Sequence, residues 1–149
     1  MLSTRRARLT ALAVLVVLAA ALPAVVLAAQ PKGGYYIDPE LQVYVIVKGD
    51  PAHVKSFQGP CLVTPDGGGA PSQQGGYILK KKLKISKKGK FSYRGKVTLQ
   101  GLSESRIKVK IAGKFKKGKA KGTVTFLDKD TACEKTTFTG KYYGKNPQG

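Results

Sequence analysis

Apolar and polar residues alternate along much of the chain, and this period of two is typical of β-strands with one buried and one solvated side. The first clear stretch is LQVYVIV at 41–47, with Leu41 and three valines on one side. Asp50-Pro51 and Gly59-Pro60 are turn signals, so we expect a second strand over 52–57 and a separate short one over 61–64. The Gly-rich PDGGGAPSQQGG at 65–76 predicts one long loop.

From Tyr77 to Phe126 the alternation becomes regular, with turns at 87–90, 101–105 and 116–119. It predicts that the run 79–96 is a β-hairpin with its lysines on the outer side. The residues expected to face inward are Tyr77, Leu79, Leu83, Ile85, Phe91, Tyr93, Gly95, Val97, Leu99, Ile107, Val109, Ile111, Gly113, Phe115, Ala120, Gly122, Val124 and Phe126. A last strand is expected over 137–143. No window after position 30 shows a helical repeat.

This pattern predicts an all-β fold, an antiparallel β-sandwich of about seven to nine strands, with a small open β-barrel as the alternative. We expect one domain over 35–145, preceded by a linker at 30–34 and followed by a disordered tail at 146–149. About 120 residues suffice for one modest core but not for two.

The first 29 residues have the order of a secretory signal peptide. Three arginines precede an apolar stretch that ends in small residues, and Pro23 interrupts that stretch shortly before the expected cleavage after Ala28 or Ala29. Cleavage predicts a secreted or envelope-associated protein with no remaining membrane span. The alternative is an uncleaved helical anchor, since 9–29 is long enough to cross a bilayer.

The chain has two cysteines, Cys61 and Cys133, which are 72 positions apart. An exported chain enters an oxidising space, so we expect them to form a disulfide. With a single histidine and no C-x-x-C motif, the sequence gives no metal, cofactor or redox prediction.

Nearly all the net charge of the chain beyond the signal segment lies in 79–121, where 17 Lys/Arg face one acid, Glu104, for a net charge of +16. Most are lysines, which act as point charges and suit diffuse attraction to a polyanion better than bidentate readout. The candidate polyanion-binding residues are Lys80, Lys82, Lys84, Arg94, Lys96, Arg106, Lys108, Lys110, Lys114 and Lys121. The competing interpretation is a merely solvated basic face.

Features that resemble catalytic motifs are incomplete. The stretch 113–120 matches G-x-x-x-x-G-K, but Ala120 replaces the Ser or Thr of a phosphate loop. His53 is expected at the surface, and Asp128 and Asp130 lack the further oxygen donors of a Ca²⁺ loop. A Ser–Lys pair has no specificity in so lysine-rich a chain. We therefore predict no catalytic residues.

The series Cys61, IxKxGKFS (85–92), IAGKF (111–115), AKGTV (120–124), Cys133 and FTGKY (138–142) resembles small exported β-domain proteins of high-GC Gram-positive bacteria. The resemblance covers about 41–145. It implies a sandwich-like domain with a bridge, but no activity and no site residues.

Three functions remain open from the sequence. The first is a non-catalytic, monomeric module that adheres to an anionic envelope polymer, extracellular polymer or lipid surface, without specific nucleic-acid recognition. The second is a secreted hydrolase or hydrolase inhibitor acting through the 65–76 loop. The third is a structural domain whose basic face is only solvated.

Overall fold

The computed structural model describes residues 30–101, 106–129 and 131–146. The signal peptide predicted at 1–29, most of the predicted 101–105 turn and the end of the predicted tail lie outside these ranges. The strands are β1 (Gly34–Asp38), β2 (Val43–Lys48), β3 (His53–Val63), β4 (Ser72–Leu79), β5 (Leu83–Lys84), β6 (Lys90–Gln100), β7 (Arg106–Lys116), β8 (Lys119–Phe126) and β9 (Thr136–Gly144).

All nine strands of the described residues belong to one antiparallel sheet, in the order β2-β1-β9-β8-β7-β6-β4-β3-β5. β2 also pairs with β3, so the sheet curls round and eight strands form a closed ring, to which β5 is added at the edge of β3. The prediction of an all-β antiparallel fold with seven to nine strands and one disulfide is confirmed.

One junction of this ring is short. β6 pairs with β7 over nine successive positions, from Lys90↔Lys114 to Thr98↔Arg106. On its other edge it pairs with β4 at only two positions, Gly76↔Gln100 and Tyr77↔Leu99. We call this contact the β4–β6 seam.

The predicted alternation from Tyr77 to Phe126 places most of the apolar residues inside the ring. On β7, for example, Ile107, Val109, Ile111 and Phe115 are buried while the lysines between them are exposed. The same holds for Phe91, Val97 and Leu99 on β6. Burial of these side chains is the main favourable contribution to folding.

Glycines on the inner face make room for aromatic rings from the neighbouring strand. Each of three glycines lies directly opposite an aromatic residue in the register, and the ring occupies the space where a Cβ would lie. The pairs are Gly59↔Tyr77, Gly113↔Phe91 and Gly122↔Phe138. An aromatic side chain that covers a cross-strand glycine restores the packing that the glycine lacks.

The predicted break at Gly59-Pro60 is wrong, because β3 runs unbroken from His53 to Val63. The pairing of β3 with β2 ends at Tyr44↔Gln58, so only β4 accompanies β3 at Pro60. A proline lacks the N–H that a central strand needs, but it is accepted where one edge has no partner strand.

The long loop predicted at 65–76 is shorter than expected. β4 already begins at Ser72, and Gly75 and Gly76 pair with Cys61 and Pro60. Backbone pairing with β3 thus outweighs the low β-propensity of these glycines, which depends strongly on context.

The run 79–96 is not a simple hairpin. β4 ends at Leu79, and the short β5 pairs with β3 rather than with β6, through His53↔Lys84 and Val54↔Leu83. Leu79 and Leu83 are buried as predicted, and the lysines between them are exposed. The alternation predicted which side chains are buried but not which strand is the neighbour.

Two buried polar side-chain atoms of the described residues have no hydrogen-bond partner, His53 Nδ1 and the Tyr77 hydroxyl, and the second lies in the core. Tyr77 is 2% exposed and packs against Phe57 and Phe126, at ring-centroid distances of 6.2 and 5.7 Å. Within the described part of the chain, no hydrogen-bond partner reaches its hydroxyl. Burying a hydroxyl without a hydrogen bond opposes folding.

Replacing this tyrosine, Tyr77→Phe, is expected to raise the free energy of unfolding by about 1 kcal/mol, because the ring stays and the unsatisfied hydroxyl goes. Urea denaturation measures the change. The control is Tyr36→Phe, which removes a hydroxyl that donates to the Lys32 carbonyl at 3.0 Å and should cost about 1 kcal/mol. Equal changes in both variants would contradict the interpretation.

The pH dependence gives a second readout for Tyr77→Phe. Burial raises the pKa of Tyr77, so the folded state keeps the hydroxyl neutral at pH values where the unfolded chain ionises it. Stability is therefore lost as pH rises above the unfolded pKa of about 10, by up to about 1.4 kcal/mol per pH unit. The phenylalanine variant should lack this contribution to the loss.

Candidate functional site

The outer side of β6, β7 and β8 carries a continuous array of cations, which we call the basic face. All of its members are exposed, and alternation along each strand puts them on the same side. They are Lys90, Arg94, Lys96, Arg106, Lys108, Lys110, Lys114, Lys116, Lys119 and Lys121.

The register places cations directly opposite one another across the strands. Such pairs occur between β6 and β7, between β7 and β8, and between β8 and β9. They are Lys90↔Lys114, Arg94↔Lys110, Lys96↔Lys108, Lys114↔Lys121, Lys116↔Lys119 and Lys119↔Lys141. Opposed like charges destabilise a sheet by some tenths of a kcal/mol each. The basic face therefore opposes folding.

Seven of the ten predicted polyanion-binding residues belong to this face, namely Arg94, Lys96, Arg106, Lys108, Lys110, Lys114 and Lys121. The structure places the other three elsewhere. Lys84 lies on β5, opposite His53 of β3, and Lys80 and Lys82 lie in the connection that precedes β5.

Three carboxylates near the sheet accept hydrogen bonds from backbone N–H groups. Asp128 accepts a hydrogen bond from the backbone N–H of Lys108 at 2.7 Å. The buried Asp38 accepts from the N–H groups of Leu41 and Thr139, and Glu134 accepts from Thr64. These hydrogen bonds hold loops and strands in place.

A cavity of about 440 Å³ opens beside the β7–β8 turn, at one end of the ring. Its floor consists of three aromatic residues, Tyr36, Phe115 and Tyr142, whose rings pack around Tyr36 at centroid distances of 4.9 and 5.3 Å. Lysines from the turn and from the N-terminal linker surround the floor. They are Lys32, Lys114, Lys116, Lys117 and Lys119.

Two hydrogen bonds fasten the linker along the side of this cavity. The hydroxyl of Tyr36 donates to the Lys32 carbonyl at 3.0 Å, and the hydroxyl of Tyr142 donates to the Gly33 carbonyl at 3.1 Å. Burial and the neighbouring Tyr142 raise the pKa of Tyr36, against the opposing effect of its bond to Lys32. Tyr36 thus keeps a neutral hydroxyl at physiological pH.

Sequence reasoning missed this cavity. Its lysines come mainly from the KKGK turn at 116–119, but the same four residues occur at 87–90, outside the cavity. The tyrosines on the floor come from opposite ends of the domain. Only the pairing of β1 with β9, through Tyr36↔Tyr142, brings them together.

The incomplete catalytic motifs gain no support from their surroundings. The stretch 113–120 forms the end of β7, a turn and the start of β8, rather than the strand-to-helix turn of a phosphate loop. His53 is half-buried on β3. Among the described residues, no group of three or more His, Cys, Asp or Glu is placed to hold a metal ion.

Comparisons of this chain with protein families, with curated proteins and with solved structures found no match. The resemblance to small exported β-domain proteins therefore stays a prediction. The part of the chain that the structure describes contains no helix with the length and apolar character needed to cross a membrane.

Proposed function

We propose that this protein is an exported, non-catalytic module whose basic face binds anionic polymers of the cell envelope or the extracellular space. The observation that carries the proposal is the register of like charges, six cation pairs set opposite one another on strands whose inner sides build the core. The inner residues of these strands stabilise the fold, whereas the opposed cations on the outer side lower its stability.

The spacing of the charges suits a polyanion. Side chains on one side of a strand repeat every ~7 Å, and neighbouring strands lie ~4.8 Å apart. Both distances are below the Debye length of ~8 Å at physiological salt, so the charges act together. A flexible polyanion laid across the strands would relieve their repulsion and release counterions.

Export is part of the proposal. The disulfide between Cys61 and Cys133 is the kind of bond that persists in oxidising compartments, and the predicted signal peptide and the resemblance to exported β-domain proteins agree with it. An envelope polymer rich in phosphate or carboxylate is the polyanion that such a protein would meet.

Polymer binding is tested with two variants of equal charge. The face variant carries Lys96→Gln, Lys108→Gln and Lys110→Gln, and its control carries Lys80→Gln, Lys82→Gln and Lys84→Gln. At about 50 mM salt we expect the face variant to bind heparin and teichoic-type polymer at least tenfold more weakly, because opposed cations on neighbouring strands are lost. The control should change binding about twofold or less.

Three other outcomes would overturn the proposal. Equal weakening in both variants would indicate diffuse attraction by net charge alone. No weakening in either variant would favour a merely solvated face. Binding to anionic lipid vesicles but not to the polymers would make a membrane surface the partner. Isothermal titration calorimetry measures all three, and thermal unfolding checks that both variants fold.

A further inference from the structure

The cavity beside the β7–β8 turn has a composition that the basic face lacks. The face presents charges on a convex sheet, whereas the cavity combines five lysines with an aromatic floor in a concave space of about 440 Å³. This volume is within the range of small-molecule sites, roughly 300–1,000 Å³, which typically have an apolar lining and a few polar groups that orient the ligand.

The charges around the cavity have one sign. Its lining residues are lysines, tyrosines, Phe115, Gly118, Gln30 and Pro31, with no acid among them. Several ammonium groups around one opening can share the charge of a single dianion. Lysine binds phosphate as a point charge without demanding bidentate geometry. These features favour a phosphate group at the mouth of the cavity.

The floor favours a polyol or a sugar ring below that phosphate. The half-buried Tyr142 donates its hydroxyl to the Gly33 carbonyl, and its oxygen still has a lone pair to accept a hydrogen bond from a ligand hydroxyl. Tyr36 and Phe115 are only 2% and 6% exposed, so the Tyr142 ring offers the main contact to the C–H groups of such a ligand.

The turn that supplies the lysines is strained at one of them. Lys117 has φ 49° and Gly118 has φ 71°, so both central residues of this two-residue hairpin turn are left-handed. Asparagine followed by glycine is the preferred sequence for this turn, and lysine is disfavoured there. A non-glycine residue held in this conformation is a reason to look for a function at its side chain.

We propose that this cavity is a binding site for a phosphate monoester of a small polyol or sugar. Lys116, Lys117 and Lys119 hold the phosphate, and Tyr142, which packs on the buried Tyr36, contacts the polyol. The site does not depend on polymer binding by the basic face. The ester can be a free molecule or the phosphorylated end of a polymer chain, since both present the same group.

The test uses glycerol 3-phosphate as the probe, with glycerol and inorganic phosphate as comparisons. We expect saturable one-to-one binding of glycerol 3-phosphate, at least tenfold tighter than inorganic phosphate, and no measurable binding of glycerol. Chemical-shift changes should centre on Tyr36 and Tyr142. Equal affinity for inorganic phosphate and the ester would overturn the role of the floor.

The decisive pair of variants changes one lysine in each of the two KKGK turns. Lys117→Asn should weaken binding of glycerol 3-phosphate roughly tenfold. It should also raise Tm, because asparagine tolerates the left-handed conformation. Lys88→Asn removes the same charge outside the cavity and should leave binding within about twofold. A Lys117→Asn variant that is more stable and binds the ester as well as the parent protein would refute the site.

A second pair of variants separates this site from the part of the basic face outside the cavity. Lys116→Gln with Lys119→Gln, which lie on the basic face and also line the cavity, should abolish binding of the ester. Lys108→Gln with Lys110→Gln, which lie on the basic face only, should weaken binding of the polymer and leave binding of the ester unchanged. If both pairs weaken binding of the ester equally, the ester is attracted by net charge alone and the proposed site is wrong. Phosphatase treatment of a phosphate-ended oligomer distinguishes a free ester from a polymer end as the ligand. If the cavity binds the polymer end, removal of the terminal phosphate should weaken binding of the oligomer.

Discussion

Replacing both cysteines, Cys61→Ala with Cys133→Ala, is expected to lower the free energy of unfolding by about 4 kcal/mol and Tm by roughly 15 °C. The two positions are 72 residues apart, and a cross-link over so long a loop removes much of the freedom of the unfolded chain. Domains of this size are usually stable by only about 5–15 kcal/mol.

The position of the bond in the fold adds to this effect. Cys61 lies on β3, and Cys133 lies in the segment that leads into β9, a strand that is not a neighbour of β3 in the sheet. Two hydrogen bonds flank the bridge, from the Glu134 N–H to the Leu62 carbonyl at 2.9 Å and from the Thr64 N–H to the Glu134 carboxylate at 3.0 Å. Loss of the bond therefore frees the segment before β9.

Urea denaturation of the parent protein and of the double variant, with and without dithiothreitol, measures the effect. Reductant should destabilise the parent by about the same amount as the mutations, under conditions where it leaves the double variant unchanged. If the reduced parent is as stable as the oxidised one, the bridge contributes nothing to folding.

The second large effect is expected for Gly122→Ala, a loss of about 3 kcal/mol. Alanine normally stabilises a strand relative to glycine by roughly 0.5–1 kcal/mol, so propensity alone predicts the opposite sign. At Gly122 a Cβ would meet the Ala112 carbonyl oxygen and would lie 2.8 Å from Gly113 Cα. Both belong to the backbone of β7, which eight successive register pairs fix against β8.

The matched control is Gly67→Ala in the loop before β4. No atom lies within 4 Å of the position where its Cβ would be, and Gly67 is not among the glycines with positive φ. We expect it to change stability by less than about 0.5 kcal/mol. Thermal and urea unfolding compare the two variants. Equal stability of both would show that β7 yields to the added methyl group.

The alternation of residues was sufficient to predict most of the buried side chains between Tyr77 and Phe126, because a period of two fixes the sides of a strand whatever its neighbours are. Ile85, Tyr93 and Phe126, also predicted to face inward, are only half-buried. It could not predict that β3 continues through Pro60, since that depends on where the pairing with β2 ends. It assigned Lys80, Lys82 and Lys84 to the same surface as the β6–β8 cations, because the sequence does not record that β5 pairs with β3.

The cavity was beyond sequence reasoning for a similar reason. Its sides depend on contacts such as that from Tyr142 to Gly33, 109 positions away. A local pattern has no information on such distances. The two KKGK segments are identical in sequence, yet only the one at 116–119 lines the cavity.

The β4–β6 seam has a consequence for how the protein behaves in concentrated solution. With two residue pairs across it, the ring is expected to open there first. Opening frees Leu99 and Gln100, so that the whole of this edge of β6 can pair with a strand of another molecule. The strand thus bared bears Lys90, Arg94 and Lys96, so an approaching second copy meets repulsion. Added salt screens that repulsion, so we expect association of molecules through this edge of β6 to increase with salt concentration.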